Sequence, residues 1–187
     1  AELKLGDPMD YGTDVGPVID EEAKATLQAH KARMMKEGRL IHEVMMPNET
    51  GKGSFVAPVA YELPGISTLK REVFGPVLHV VRYQASELPE VCAMLNATGF
   101  GLTLGLHTRI ESTAATVRRL VKVGNMYVNR NQIGAVVGAQ PFGGEGLSGT
   151  GPKAGGPHYL ARFAVERVCS TDTTASGGNA ALMTMES

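Results

Sequence analysis

The run Glu72-Val73-Phe74-Gly75-Pro76-Val77 places an acid and an aromatic ring two positions apart, just ahead of an apolar stretch. In an extended segment, residues i and i+2 face the same side. A carboxylate there can accept bonds from both hydroxyls of a ribose, and the ring beside it can pack on a flat heterocycle. The same spacing also fits a solvated Glu72 and a core Phe74.

A second candidate runs from Asn129 to Gly156 and is dense in glycine. Glycine lets backbone N–H groups approach a ligand closely. Successive N–H groups can cup an anion such as a carboxylate, with Phe142 as an apolar wall. A packed loop without a ligand is the alternative. Within it, Gly144-Glu145-Gly146-Leu147-Ser148-Gly149 matches the dinucleotide fingerprint GxGxxG in form only. No strand leads directly into it, and the glycines and prolines that follow oppose a helix.

Nucleophiles and metal ligands are scarce. Cys92 sits mid-helix among apolar neighbours and reads as an inert buried thiol. Cys169 has no base near it in sequence. His30, His42, His79, His107 and His158 show no zinc-ligand spacing. Ser148 is not in a Gly-x-Ser-x-Gly elbow. No catalytic residue and no metal ligand is assigned.

The elements that must position these groups are legible in outline. Asp20-Glu21-Glu22 opens a helix that runs to about Glu37 and closes at Gly38, with an apolar stripe at Ala25, Leu27, Ala29, Ala32 and Met35. Strands are expected over 39–44, 55–61, 77–83, 102–107 and 126–129, with a loop over 48–53. Helices are expected over 88–96 and 111–121. From residue 77 to 129 the order is strand, helix, strand, helix, strand, which implies parallel β-α-β units. In such sheets ligands bind at the carboxyl ends of the strands, and the glycine-rich segment leaves such an end. The expected fold is therefore α/β, an open, mainly parallel sheet with helices on both faces. Alternation over 163–169 predicts an exposed strand, and the tail to Ser187 is small and polar. The expected division is a catalytic portion over 1–162 and an oligomerisation strand with its tail over 163–187.

The 187 residues leave room for one domain. A net charge of -1 gives no electrostatic case for nucleic acid or anionic lipid. The densest basic group, Arg118, Arg119 and Lys122, reads as a solvated helix face. No apolar run approaches the roughly 20 residues needed to span a bilayer. The N-terminus lacks signal-peptide character, and the two cysteines make no disulfide framework, so a reducing cytoplasm is expected. The abrupt start, running straight into a turn at Asp7-Pro8, suggests a piece of something longer.

Laid end to end, these motifs resemble the aldehyde dehydrogenase superfamily. The carriers are Gly6-Asp7-Pro8 with Gly16-Pro17, Glu72-Val73-Phe74-Gly75-Pro76, and Asn96-Ala97-Thr98-Gly99-Phe100-Gly101-Leu102-Thr103. Gly124 to Asn129 and Pro141-Phe142-Gly143-Gly144 complete them, in family order. The stretches 130–138, 149–157 and 173–179 narrow the resemblance to the L-glutamate-γ-semialdehyde (1-pyrroline-5-carboxylate) dehydrogenase module of bifunctional proline-utilisation (PutA) proteins.

That resemblance implies NAD as cofactor, with Glu72 on the ribose beside the nicotinamide and Phe74 against the nicotinamide itself. It implies that Gly134 and Ala135 offer N–H groups to the substrate's α-carboxylate and that Phe142 packs on its aliphatic chain. FAD would belong only to the proline dehydrogenase domain of such proteins, which this chain does not include. A homo-oligomer is implied through the strand over 163–169. The family's nucleophilic cysteine, oxyanion-hole Asn and general-base Glu have no counterpart here, so the chain alone is expected to be inactive. Two alternatives remain: a non-catalytic assembly module, and an aldehyde dehydrogenase of other substrate specificity.

Overall fold

The computed structural model describes residues 2–172; the motif over 173–179 and the tail to Ser187 lie outside the described residues. Helix α1, Glu21–Glu37, starts where Asp20 accepts a 2.7 Å bond from the Ala23 N–H, a side-chain cap that satisfies an otherwise orphaned donor. It stops at Gly38, whose N–H donates to the Met34 carbonyl at 2.9 Å. No side chain fits at Gly38, because a Cβ would stand 2.8 Å from the Glu62 carbonyl. The buried stripe of α1 is Leu27, His30 and Met34, while Met35 is exposed. A stripe read from apolar letters alone misses this face, because a histidine occupies its middle.

Strand β1, Arg39–Glu43, pairs antiparallel with β2, Val59–Leu63, with an irregularity between Leu40 and His42. Strand β2 pairs parallel with β3, Val77–Val81, from Val59↔Val77 to Leu63↔Val81. Alternate residues Val59, Tyr61 and Leu63 of β2 are buried against Met34, with Leu69, Val77 and Val81 packed around them. Burial of each such side chain is worth roughly 1.5–3 kcal/mol. Arg39 and Arg82 flank β2 on the outside, both pairing with Glu62.

Helix α2, Leu88–Ala97, is followed by the short strand β4, Phe100–Gly101. Strand β5, Thr103–Leu106, helix α3, Glu111–Leu120, and strand β6, Asn125–Val128, form one β-α-β unit with β5 and β6 parallel. Ala114 and Val117 are the buried face of α3. Strand β7, Glu145–Gly146, pairs antiparallel with β4.

The α/β class holds, but the single open sheet does not. The described strands form three separate sheets, β1-β2-β3, β4-β7 and β5-β6. The edges of β3 and β5 do not meet. A cleft of about 1030 Å³ lies between them, lined by Val77, His79 and Val81 on one side and Leu102, Thr103 and Leu104 on the other. Residues 164–170 correct a second expectation: they form no strand, and Phe163 closes a short 3-10 turn, Leu160–Phe163. Alternation suits a strand to pairing, but a ladder needs a partner edge, and no described segment supplies one.

Candidate functional site

Glu72 and Phe74 sit in an irregular segment that leads into β3. Glu72 is exposed, and its carboxylate has no hydrogen-bond or ion-pair partner among the described residues. Phe74 is 89% exposed, which removes the core reading of that ring. The segment is fixed from behind. A Cβ at Gly75 would stand 2.5 Å from Cδ2 of Leu27, itself fully buried on α1. The Pro76 carbonyl accepts from the Val59 N–H at 3.0 Å, which ties the turn to β2. An exposed carboxylate and an exposed ring thus stand two positions apart on a segment packed on α1 and bonded to β2.

The glycine-rich segment begins at Asn129, whose φ of 56° turns the chain out of β6. Asparagine is enriched in this left-handed region. Its side chain accepts from the Thr108 N–H and donates to the Thr108 carbonyl, both at 2.9 Å. The Arg130 guanidinium covers the Tyr127 ring at 4.7 Å. Gln140 closes the far side of the loop, accepting from the Val136 N–H at 3.2 Å. Between these ties lie Gly134 and Ala135, both half-buried. Neither N–H donates to any acceptor among the described residues. Two adjacent N–H groups are thus left without an acceptor on a loop tied at both ends. A Cβ at Gly134 would meet nothing within 4 Å, so the space above it is open.

Phe142 is half-buried in the next turn, where its backbone makes an isolated bridge with Ala154. The turn crosses the start of β6 at Gly124, where a Cβ would lie 2.7 Å from the Gly143 carbonyl carbon and 2.8 Å from Gly144 Cα. Lys153 donates to the Gly124 carbonyl and braces the crossing.

The structure thus places the predicted residues in three spots: Glu72 and Phe74 before β3, Gly134 and Ala135 after β6, and Phe142 at the start of β6. The large cleft takes in Glu72 and Ser148 but none of the other predicted residues. Its lining mixes apolar residues of β3, β5 and α2 with the polar Ser67, Lys70, Arg71 and Thr98. Gly144 to Gly149 runs through β7 into a turn rather than a helix, so it is no dinucleotide loop. Ser148 is structural, its Oγ accepting from the Gly101 N–H at 3.0 Å.

Cys92 is 2% exposed, and burial pushes its thiol pKa up, which disfavours the thiolate. Cys169 is exposed. One pairing was invisible to spacing: His30 and His79, far apart in sequence, bring their Nε2 atoms to 2.8 Å with rings edge-to-face. Desolvation lowers both pKa values; His79, Arg33 and Arg71 add to the penalty on a proton at His30, and Arg33 adds to it at His79. Both shifts favour the uncharged rings, and the contact joins α1 to β3. No group of three or more His, Cys, Asp or Glu side chains able to hold a metal occurs among the described residues, and no described helix is long and apolar enough to cross a membrane.

Comparison with known proteins places this arrangement. The aldehyde dehydrogenase family profile matches residues 1–168. The chain is 55% identical over 172 residues to the bifunctional protein PutA of Escherichia coli, covering 89% of this chain and 13% of that protein. It is 38% identical over 161 residues to a 1-pyrroline-5-carboxylate dehydrogenase of Geobacillus, covering 85% of this chain and 30% of that one. Among solved structures it superposes on Bradyrhizobium japonicum PutA (mutant D779W) with a TM-score of 0.84 and 59% identity, over 89% of this chain and 17% of the other. It superposes on an NAD-bound Thermus 1-pyrroline-5-carboxylate dehydrogenase with a TM-score of 0.76 and 36% identity, over 87% and 31%. The chain therefore spans less than a fifth of the PutA chains and just under a third of the 1-pyrroline-5-carboxylate dehydrogenases it matches. On the family profile, the high identities and the shared fold together, this chain belongs to the aldehyde dehydrogenase family.

Proposed function

We propose that this chain is the part of an NAD-dependent L-glutamate-γ-semialdehyde dehydrogenase of proline catabolism that contacts the nicotinamide end of the cofactor and seats the substrate's α-carboxylate. The observation that carries this reading is the pair of free N–H groups at Gly134 and Ala135. A carboxylated aldehyde needs such a seat, and an alkyl aldehyde does not. Phe142 would line the aliphatic chain between carboxylate and aldehyde. NAD, when bound, takes up the hydride; Glu72 would hold its ribose and Phe74 would cover the nicotinamide. The similarity to PutA and to 1-pyrroline-5-carboxylate dehydrogenases supports the substrate class, and the NAD-bound Thermus relative supports the cofactor.

The thiolate that attacks the aldehyde is not supplied here. Cys92 is buried in α2 and disfavoured as thiolate, and Cys169 lies exposed in the segment after Phe163. The isolated chain is therefore inactive on this reading, and the unpaired edges of β3 and β5 leave room for more of the same catalytic domain. A cytoplasmic setting agrees with two free cysteines.

The cofactor half of this proposal is tested by Glu72→Gln in an active dehydrogenase that carries this chain. The expected result is a rise in KM for NAD of about tenfold, since a hydrogen bond to a charged group is worth roughly 1.5–3 kcal/mol. An unchanged KM for NAD would remove Glu72 from the ribose. Residues 163–169 leave Phe163, Val165 and Val168 exposed, and their unpaired backbone suits pairing with a second subunit. Deleting 163–169 should then lower the mass found by analytical ultracentrifugation, and an unaltered mass refutes the pairing.

A further inference from the structure

Phe142 lies in a turn whose backbone bonds can be followed one by one. Its own N–H donates to the Ala154 carbonyl at 3.0 Å, and its own carbonyl accepts from the Ala154 N–H at 2.9 Å. The two peptide groups on either side of it are held by one side chain. Asn125 Nδ2 donates to the Pro141 carbonyl at 2.9 Å. Asn125 Oδ1 accepts from the Gly143 N–H at 3.2 Å. Asn125 is the first residue of β6, and its own N–H donates to the Leu102 carbonyl at 3.1 Å. The fork therefore stands on a parallel strand pair rather than on a loop.

Only a neutral amide fits both partners. A carbonyl needs a donor and an N–H needs an acceptor, and asparagine carries one of each on a planar head. Aspartate keeps the acceptor for Gly143 but sets a negative oxygen against the Pro141 carbonyl. Alanine removes both bonds and leaves Pro141 and Gly143 without these partners. Proline at 141 has no N–H of its own, so beside the Phe142–Ala154 bridge it is the Asn125 amide that bonds the peptide groups on both sides of Phe142.

We propose that Asn125 is a specificity-determining positioning residue: by gripping the peptide groups before and after Phe142, it sets the ring's place against the substrate's aliphatic chain. This rests on the reading of Phe142 as a wall of the semialdehyde pocket. The cost of misplacing a pocket wall falls on binding of the substrate that uses it.

The test compares N125A, N125D and F142A in an active dehydrogenase carrying this chain, with L-glutamate-γ-semialdehyde and NAD. The expected result is that N125A raises KM for the semialdehyde about tenfold while kcat and KM for NAD stay within about twofold, with N125D falling between N125A and the parent. General damage to the fold would move KM for NAD and kcat as well. Amide hydrogen exchange at Gly143, measured on the present chain, should accelerate in N125A and much less in N125D, so the grip is tested even where a variant loses activity. If F142A raises KM for the semialdehyde and N125A does not, the positioning role is wrong and the pocket stands. If F142A itself leaves that KM unchanged, the pocket reading fails and the positioning role falls with it. Equal losses of kcat and of NAD affinity in N125A, or unaltered Gly143 exchange, also overturn it.

Discussion

Gly124→Ala should cost about 3 kcal/mol or more of stability, at the upper end of overpacking penalties. Gly124 lies where the start of β6 crosses the turn Gly143-Gly144, and the added Cβ would overlap the Gly143 carbonyl group. The obstruction is backbone on both sides, so no rotamer change relieves it. Asn125 and Lys153 tie the same two segments together, so neither can back away without breaking those bonds. For a chain of this size, about 3 kcal/mol corresponds to roughly 6–12 °C in Tm. Thermal unfolding of the variant checks this, and a Tm within about 2 °C of the parent would show that the crossing is looser than described. Gly134→Ala is the control, since its Cβ meets nothing.

Gly134→Val separates fold from function. The fold should tolerate it, because the space above Gly134 is open. On the proposed function, a carboxylate bound by the N–H groups of Gly134 and Ala135 would be crowded by the added side chain. Each charge-assisted bond is worth roughly 1.5–3 kcal/mol, so losing one should raise KM for glutamate semialdehyde about 10- to 100-fold. An aldehyde without a carboxylate should show little change. If KM for the semialdehyde is unmoved in a variant with parental Tm, the loop is not the seat, and the family assignment survives with a different substrate class.

Local signals in the sequence carried most of the elements. Asp20 and Gly38 bracket α1 because a side-chain acceptor and a residue without Cβ are what its two ends require. The apolar spacing of α3 places Ala114 and Val117 inward. Pairing was less legible. Apolar runs mark Val77–Val81 and Thr103–Leu106 as strands, but nothing in a run says which edge it meets, and these two face each other across an open cleft. The alternation over 163–169 likewise marks a pairing capacity and not a partner. At the site, Glu72, Gly134, Ala135 and Phe142 stood out because their motifs are distinctive. Asn125 did not, since an asparagine opening a strand looks like ordinary turn chemistry until Pro141 and Gly143 are seen against its amide. The His30–His79 pair was hidden for the same reason: its chemistry depends on a contact between α1 and β3 that no spacing encodes.

The most direct test of the whole account is NADH formation from L-glutamate-γ-semialdehyde by this purified chain, beside a complete relative such as Escherichia coli PutA under the same conditions. The account predicts turnover by the complete enzyme and none by this chain, because the chain holds the carboxylate seat and nicotinamide contact but no activated thiolate. Turnover by the chain alone would contradict it, and would point to Cys92 or Cys169 as a nucleophile that burial and sequence context both argue against.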